Sequence, residues 1–205
     1  LGSFSAVAPT DGSYIASAWN GRFFFSTNRG LTTAHGNLVS KRLWFNTGAP
    51  RLWNSRIKGS PLNKQHWLLG TTNDGVYYTK DHGATISAVS GTIPTNTQWG
   101  GTETPYLVDF APSGTAYIFA QGTGLYKASA LDGTFAFVAG GPLWASSLVV
   151  DADGTAYVCN PTSSTYVLHK LVGTTWSTVT SGAVQIPHVV AVNPANTNPV
   201  SYTHL

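Results

Sequence analysis

The carboxylates are the side chains with the most chemistry to offer, and the 205 residues contain only eight of them. Glu103 follows Trp99 in a segment rich in glycine and threonine, and Asp74 precedes Gly75. Glycoside hydrolysis needs two carboxyl groups about 5–10 Å apart, one of them protonated. Glu103 and Asp74 are therefore the candidate catalytic residues of a glycoside hydrolase, although Asp74 before glycine is also an ordinary turn signal. The sequence alone does not bring the two together, so whether the chain is an enzyme stays open.

Most of the remaining carboxylates are better explained by structure than by catalysis. Aspartate side chains in turns hydrogen-bond nearby backbone amides. Five of them fall in predicted turns: Asp11, Asp81, Asp132, Asp151 and Asp153. Asp109 lies in an apolar run between Val108 and Phe110, and we expect it to be a hydrogen-bonded residue that faces a central channel.

A second candidate site is the basic and aromatic segment of residues 34–56. Trp44 and Trp53 have flat faces of the kind that stack on sugar rings. Arg51 can hold a carboxylate with two parallel hydrogen bonds. Together with Trp99, these residues predict a site for an acidic glycan. The alternative is that the tryptophans pack in the interior while the charges are solvated.

Charge and ligand spacing argue against several other partners. Nine of the eleven Lys and Arg residues precede residue 81, yet the whole chain has a formal charge of only +3. With no recognisable nucleic-acid module, we expect no nucleic-acid partner. The histidines lack metal-ligand spacing, and the single cysteine, Cys159, excludes a CxxC site, so we expect neither metal nor cofactor. No run of about 18 apolar residues is present, so we expect no membrane span.

The composition requires a folded, strand-rich protein around these residues. Hydrophobic residues make up 42% and charged residues 9%, so the chain has ample apolar surface to bury and is not disordered. Only one Glu is present, and the helix formers typical of a bundle are scarce. Short β-branched and aromatic runs separated by Gly, Asn and Pro indicate strands joined in hairpins.

An internal repeat indicates the architecture. Residues 114–119 (GTAYIF) and 154–159 (GTAYVC) share four of six residues at an offset of 40. Each follows an apolar run and a turn, and each is followed by two further short runs. Four strands per unit at a period of about 40–50 residues is typical of a β-propeller blade. A β-sandwich is the alternative, but it lacks a recurring four-strand unit.

The units predict an all-β chain, a β-propeller fragment of about four four-stranded antiparallel blades plus the first strand of a fifth. The predicted blades cover approximately residues 1–36, 50–91, 104–139 and 145–182, with the next beginning at 186–199. Four units and one further strand are fewer than most propeller rings contain. We therefore expect both ends of the chain to be truncated. A complete ring of four or five blades is the alternative.

The last six residues are a separate case. In one reading frame, residues 200–205 can be encoded by a transposon end used to prepare sequencing libraries. We therefore expect them to be an adapter-derived tail on a translated metagenomic fragment, with residues 1–199 as the partial propeller. The alternative is a native second strand of the fifth unit.

The turn between the third and fourth predicted strands carries a family resemblance. Residues 79–86 (TKDHGATI) resemble the Asp-box, or BNR repeat, S/T-x-D-x-G-x-T-W, and residues 26–33 (STNRGLTT) resemble a weaker copy. The resemblance implies a structural hairpin remote from any active site. In it the acidic residue accepts turn hydrogen bonds and the glycine supplies a positive φ. The motif residues are Ser26, Asn28, Gly30, Thr79, Asp81, Gly83 and Thr85.

Resemblance to Asp-box propellers implies three classes of function. The first is an extracellular, cell-surface or virion-associated module that binds a glycan, a polysaccharide or a protein. Low charge and richness in Thr, Ser, Gly and Asn favour it. The second is a fragment of a carbohydrate-active enzyme, similar to sialidases or xyloglucan-cleaving endoglucanases, with catalytic residues partly outside this chain. Here Arg56 and Ile57 are followed by Lys58, where the sialidase motif has proline. The third is an assembly factor resembling photosystem assembly proteins.

Overall fold

The computed structural model describes residues 4–19, 22–35, 56–72, 74–95, 98–99, 102–103, 106–161, 166–179, 189–192 and 199–202. Regular structure in these ranges is β-strand, and consecutive strands pair antiparallel in successive sheets. No helix in the described part of the chain is long and apolar enough to cross a membrane. The prediction of an all-β chain of antiparallel sheets is therefore confirmed.

The first two sheets have four strands each. The first contains β1 (Phe4–Ala8), β2 (Asp11–Trp19), β3 (Arg22–Ser26) and β4 (Ala34–His35). The second contains β5 (Ile57–Gly59), β6 (Trp67–Gly70), β7 (Val76–Thr79) and β8 (Ser87–Ala88). The link to the third sheet contains β9 (Ser90–Gly91) and a separate hairpin of β10 (Gln98–Trp99) and β11 (Thr102–Glu103).

The following sheets continue the pattern. The third contains β12 (Leu107–Phe110), β13 (Ala116–Ala120), β14 (Gly124–Ala128) and β15 (Thr134–Phe137). The fourth contains β16 (Ser147–Val150), β17 (Ala156–Pro161), β18 (Tyr166–Val172) and β19 (Thr175–Val179). The fifth pairs β20 (Val189–Val192) with β21 (Pro199–Tyr202), so residues 200–202 of the predicted tail lie in a strand. No pairing among the described strands joins the fifth sheet to the first, so these strands form no closed ring.

The sheets stack face to face around their first strands. Within each four-stranded sheet the spatial order follows the chain, and β1, β5, β12, β16 and β20 lie next to one another in succession. Side chains alternate between the two faces of a strand, so Ile118 packs toward the second sheet and Phe119 toward the fourth. All five residues of β13 are buried. An apolar strand with two covered faces explains why residues 114–120 read as a near-continuous hydrophobic run.

One short strand crosses from its own unit to the next. β9 pairs in parallel with β15, with Ser90 opposite Thr134 and Gly91 opposite Phe135. Gly91 has φ +134°, and a Cβ there would overlap the backbone of Phe135. The close approach therefore requires glycine at this position. Because of it the third sheet has a fifth strand, and the second and third units share hydrogen bonds at their outer rim.

The fourth strands of the first two sheets are short. β4 begins only at Ala34, and Leu31 before it is 85% exposed. β8 likewise begins only at Ser87. In both units the preceding residues are held in a hydrogen-bonded loop, and these local bonds compete with strand pairing.

Candidate functional site

The first strands define two opposite faces of the molecule. Turns between first and second strands lie at one end, which we call the turn face. Turns between second and third strands, with the links between sheets, lie at the other end, which we call the link face. Near the turn face, Asp109 of β12 accepts a hydrogen bond from the backbone N–H of Val150 in β16 at 3.0 Å, so these neighbouring first strands run in the same direction.

Asp74 lies on the link face, in the turn between β6 and β7. Its backbone N–H donates to Thr71 Oγ1 at 3.1 Å, and the following Gly75 has φ +91°. The side chain is half-buried. The link to the third sheet lies next to this turn, because the N–H of Tyr106 donates to the carbonyl of Thr71 at 3.1 Å. Asp74 is thus a turn residue that borders a long link. This position agrees with a structural role in the turn and also with a place in a functional site.

Trp99 and Glu103 lie in that same link, on the paired strands β10 and β11. Trp99 is opposite Thr102, and Gln98 is opposite Glu103. Both flanks of the hairpin are tied to the second sheet or to each other. Thr95 lies against Gly75, and the Tyr106 hydroxyl donates to the carbonyl of Pro94. The two flanks of the hairpin, at Thr95 and Tyr106, therefore lie beside the turn of Asp74, a proximity that the sequence alone did not predict.

The next link is attached in a similar way. The Gln121 side chain bridges it with two hydrogen bonds, donating from Nε2 to the Ala145 carbonyl at 2.7 Å and accepting at Oε1 from the Ala145 N–H at 2.9 Å. Trp144 is half-buried and stacks over Gly122. Leu143 beside it is 52% exposed. The links before β12 and before β16 are therefore fixed to the sheets by backbone and amide hydrogen bonds, which pre-organise the side chains beside them.

Three of the predicted ligand-binding residues, Trp44, Arg51 and Trp53, lie outside the described residues. Of the other candidates, Trp67 was expected to be core and is fully buried between the first two sheets. Among the described residues no group of three His, Cys, Asp or Glu side chains has the arrangement of a metal site.

The loop after β7 is held by Thr79, Asp81 and Thr85. Asp81 Oδ1 accepts hydrogen bonds from the Thr79 hydroxyl and the Thr85 N–H, each at 2.8 Å. Asp81 Oδ2 accepts one from the Thr85 hydroxyl at 2.7 Å. The backbone and hydroxyl donors of Thr85 hold the pKa of Asp81 below its ordinary value. Gly83 closes the loop with φ +89° and donates its N–H to Thr79 Oγ1 at 2.8 Å.

The loop after β3 repeats this geometry with asparagine in place of aspartate. Asn28 Oδ1 accepts hydrogen bonds from the Ser26 hydroxyl and the Thr32 N–H, each at 2.9 Å. The Gly30 N–H donates to Ser26 Oγ at 2.9 Å, and Gly30 has φ +84°. Since an amide has N–H donors, Asn28 Nδ2 donates to the Thr32 hydroxyl at 2.7 Å instead of accepting from it.

His82 joins the first two sheets, a role that sequence reasoning missed. Its Nδ1 accepts a hydrogen bond from the Trp67 indole at 3.2 Å, so Nε2 carries the proton and donates to the Ser26 carbonyl of the first sheet at 3.1 Å. The ring also packs edge-on against Tyr14 and Phe25. Burial lowers the pKa of His82 below its ordinary value. The sequence shows that the histidine precedes a loop glycine, which indicates its place in the turn. Its hydrogen-bond partners could not be predicted, because they lie 15 and 56 residues away in the chain.

The turn face and outer rim use their carboxylates to join sheets. Lys64 of the second sheet donates to Asp11 at 2.8 Å, and this hydrogen bond, with that of Ser13, lowers the pKa of Asp11 well below its ordinary value. Lys80 makes the equivalent contact to Asp132 of the third sheet at 2.7 Å. Both ion pairs are largely exposed, so they contribute little to stability. Their locations give these aspartates a structural role.

Asp109 is the buried member of this set. Its Oδ1 accepts from its neighbour Phe110 N–H at 2.9 Å and lies 3.2 Å from Lys58 Nζ, while Oδ2 binds Val150 N–H. Burial raises the pKa of Asp109 above its ordinary value against the opposing effect of Lys58. The expectation of a hydrogen-bonded residue near the axis agrees with this geometry. Its cation, Lys58, was not predicted, because 51 positions of sequence separate the two residues.

Comparison with known proteins bears on the fold. No protein-family model matches the sequence, and no curated protein does. Among solved structures, the GH74 enzyme of Niastella koreensis matches with a TM-score of 0.71 and 23% identity, over 95% of this chain and 32% of that one. The GH74 xyloglucanase of Xanthomonas campestris matches with 0.56 and 17%, over 97% and 43%.

A third match is not a GH74 enzyme. YCF48 from Cyanidioschyzon merolae matches with a TM-score of 0.61 and 11% identity, over 97% of this chain and 62% of that one. The chain spans about a third of the length of the first of these structures. At such identities the likeness concerns architecture. The chain therefore has the sheet arrangement of a β-propeller, as the GH74 enzymes and YCF48 have.

Proposed function

We propose that the chain is part of a β-propeller module that binds a glycan or a protein through its link face. The observation that carries the proposal is that the link containing the hairpin of Trp99 and Glu103 is anchored, at its flanks Thr95 and Tyr106, to the turn of Asp74. Loops fixed to a rigid sheet are the usual carriers of binding residues. The sequence of residues 34–56, which contains Trp44, Arg51 and Trp53, offers further aromatic and basic groups that suit such a ligand.

The other described carboxylates support a binding role over a catalytic one. Asp11, Asp81 and Asp132 are each committed to a loop or to a lysine of a neighbouring sheet. In the same proposal the loops at residues 26–33 and 79–86 are Asp-box hairpins with a structural function. The low charge and the polar, uncharged composition support a location outside the cell, on a cell surface or on a virion.

The proposal is tested by binding of the chain to arrays of polysaccharides, oligosaccharides and peptides. Trp53→Ala and Trp99→Ala should each lower the signal for the ligand that binds by about tenfold or more, since a stacked aromatic ring contributes on the order of 1–3 kcal/mol. Phe137→Ala is the matched control, because Phe137 is 48% exposed on β15. Binding that survives both tryptophan variants would contradict the link face as the site.

The second candidate is a fragment of a glycoside hydrolase, which is favoured by the proximity of the Asp74 turn to the segment of Glu103. Two structural neighbours are GH74 enzymes. Release of reducing ends from xyloglucan by the wild-type chain, abolished in Glu103→Gln and Asp74→Asn but retained in Asp153→Asn, would establish this activity. Asp153 serves as the control because it lies on the turn face. Binding without release would favour the first proposal.

A further inference from the structure

The turn face has a pocket of its own, distinct from the link face. Its volume is about 520 Å³, within the usual range of roughly 300–1,000 Å³ for small-molecule sites. The wall is made by first strands from all five sheets, with contributions that include Val7 of β1, Lys58 of β5, Asp109 of β12, Val150 of β16 and Val192 of β20. The pocket thus lies where the sheets converge on their common axis.

The ammonium group of Lys58 has hydrogen-bonding capacity left for a ligand. Its one described carboxylate partner is Asp109 at 3.2 Å, and its side chain is 34% exposed. An ammonium has three N–H donors, so an acceptor within the pocket can bind it without displacing Asp109. The Asp109 side chain is only 9% exposed, and both its oxygens already accept backbone or lysine hydrogen bonds.

The other charged groups of the wall are buried. Arg56 donates from Nη1 to Thr72 Oγ1 at 3.3 Å, and burial lowers its pKa to about 9. Asp151 accepts from the N–H groups of Asp153 and Thr155, each at 2.9 Å. Backbone amides offset part of the negative charge of Asp109 and Asp151. The wall therefore favours an acceptor over a donor.

The rest of the pocket is apolar and largely rigid. Pro9, Pro61 and Pro112 occupy corresponding turns of the first three sheets and line the rim, while Phe110 and Val150 line the interior. Proline rings have little conformational freedom to lose on binding. A ligand that suits this wall has an acceptor group at one end and an apolar body at the other.

We propose that this axial pocket binds a small organic carboxylate, with its carboxyl group on Lys58 and its apolar body against the proline rim. The site is at the opposite end of the first strands from the link face. It does not depend on glycan binding or hydrolysis there. Charge-assisted hydrogen bonds to lysine are the stronger class of protein hydrogen bond, so the carboxylate should be preferred over a neutral ligand of the same shape.

The test compares benzoate with benzyl alcohol, which has similar size but no charge. Both are titrated into the full 205-residue chain while amide chemical shifts are recorded by NMR. Benzoate should shift the amides of Lys58, Phe110 and Val150 with a Kd on the order of 1 mM or tighter. Benzyl alcohol should bind about tenfold more weakly or worse. Equal affinities, or no shifts at these amides, would overturn the proposal.

Variants separate the lysine from general effects on the pocket. Lys58→Met should weaken benzoate about tenfold or more while leaving benzyl alcohol unchanged, and Lys170→Met, on β18 outside the pocket, should change neither. Because Lys58→Met leaves buried Asp109 without its lysine, the double variant Lys58→Met/Asp109→Asn is measured as well. If the folded double variant, checked by its melting transition, still binds benzoate as the wild type does, the proposal is wrong.

Discussion

Gly83 fixes the contact between the first two sheets at the scale of a single residue. Its φ of +89° lies in the region that favours glycine, and a Cβ there would overlap the ring of Phe25 in β3. Gly30 occupies the corresponding loop of the first unit with φ +84°, but a Cβ there meets no atom within 4 Å. The two glycines thus share a backbone conformation and differ in what surrounds them.

Alanine substitutions should separate the two effects. Gly30→Ala should lower the free energy of unfolding by about 1–2 kcal/mol, the usual strain of a left-handed non-glycine residue. Gly83→Ala should lower it by about 3 kcal/mol or more, because overpacking against Phe25 adds on the order of 1–3 kcal/mol. Urea denaturation of both variants and of the wild type measures the difference. Equal losses would contradict the close packing of Gly83 on Phe25.

At the scale of elements, His82 makes the contact between sheets sensitive to pH. Its neutral ring accepts from Trp67 and donates to Ser26, and burial lowers its pKa. Below its ordinary pKa of about 6.5 the unfolded chain takes up a proton before the folded chain does. The stability that His82 contributes is therefore present above about pH 6.5 and is lost as the pH falls. The hydrogen bond to the Ser26 carbonyl opposes this lowering of the pKa, but burial outweighs it.

His82→Asn tests this dependence. Asparagine tolerates the positive φ of 53° at this position but does not titrate. The wild type should lose more free energy of unfolding between about pH 7.5 and pH 5 than the variant loses. Some loss should remain in the variant, because His66 and His169 also have lowered pKa values. The lowered pKa values of Asp11, Asp81 and Asp132 act at lower pH. Identical pH profiles would show that His82 is not the sensor.

The elements that the sequence predicts well are those whose signal is local. The runs at residues 4–8, 76–78 and 148–150 have the β-branched and aromatic composition of strands, and all three are strands in the structure. The hairpin of β10 and β11 was not predicted, because its strands have two residues each and no alternating pattern. The parallel pairing of β9 with β15 was also missed, since it joins segments more than forty residues apart.

For the candidate site, the residue types were predictable and their proximity was not. Asp74 and Glu103 were selected for their chemistry, but the contacts that bring the flanks of the hairpin to the turn of Asp74, Tyr106 with Thr71 and Thr95 with Gly75, have no signal in the sequence. The axial pocket depends on five first strands that are dispersed over the chain. Long-range packing of this kind leaves no periodicity in the sequence to read.

At the scale of the whole molecule, burial is distributed unevenly across the stack. β12 and β13 of the third sheet are completely buried between their neighbours, whereas β19 at the outer edge of the fourth sheet is mostly exposed. Local stability follows such differences in burial and contact. The third sheet is therefore expected to be the most stable part of the described structure.

Hydrogen exchange provides the measurement. Amides of β12 and β13 should exchange slowest, at rates set by global unfolding, and those of β19 fastest among the strands of the third and fourth sheets. Within the fourth sheet, β17 is the internal comparison, because its residues 156–159 are buried while it belongs to the same sheet as β19. Protection in β19 equal to that in β13 would contradict a stability gradient from axis to rim.

The placement of β9 has a consequence for the exchange of repeat units by recombination or engineering. By position in the chain the strand belongs to the second unit, but its hydrogen bonds belong to the third sheet. A graft that replaced the third unit alone would have to supply a strand that can pair closely with Gly91. A graft of the second unit that ended at Ala88 would leave the third sheet without its edge strand β9. The second and third units are therefore best exchanged together, so that β9 keeps β15 as its partner.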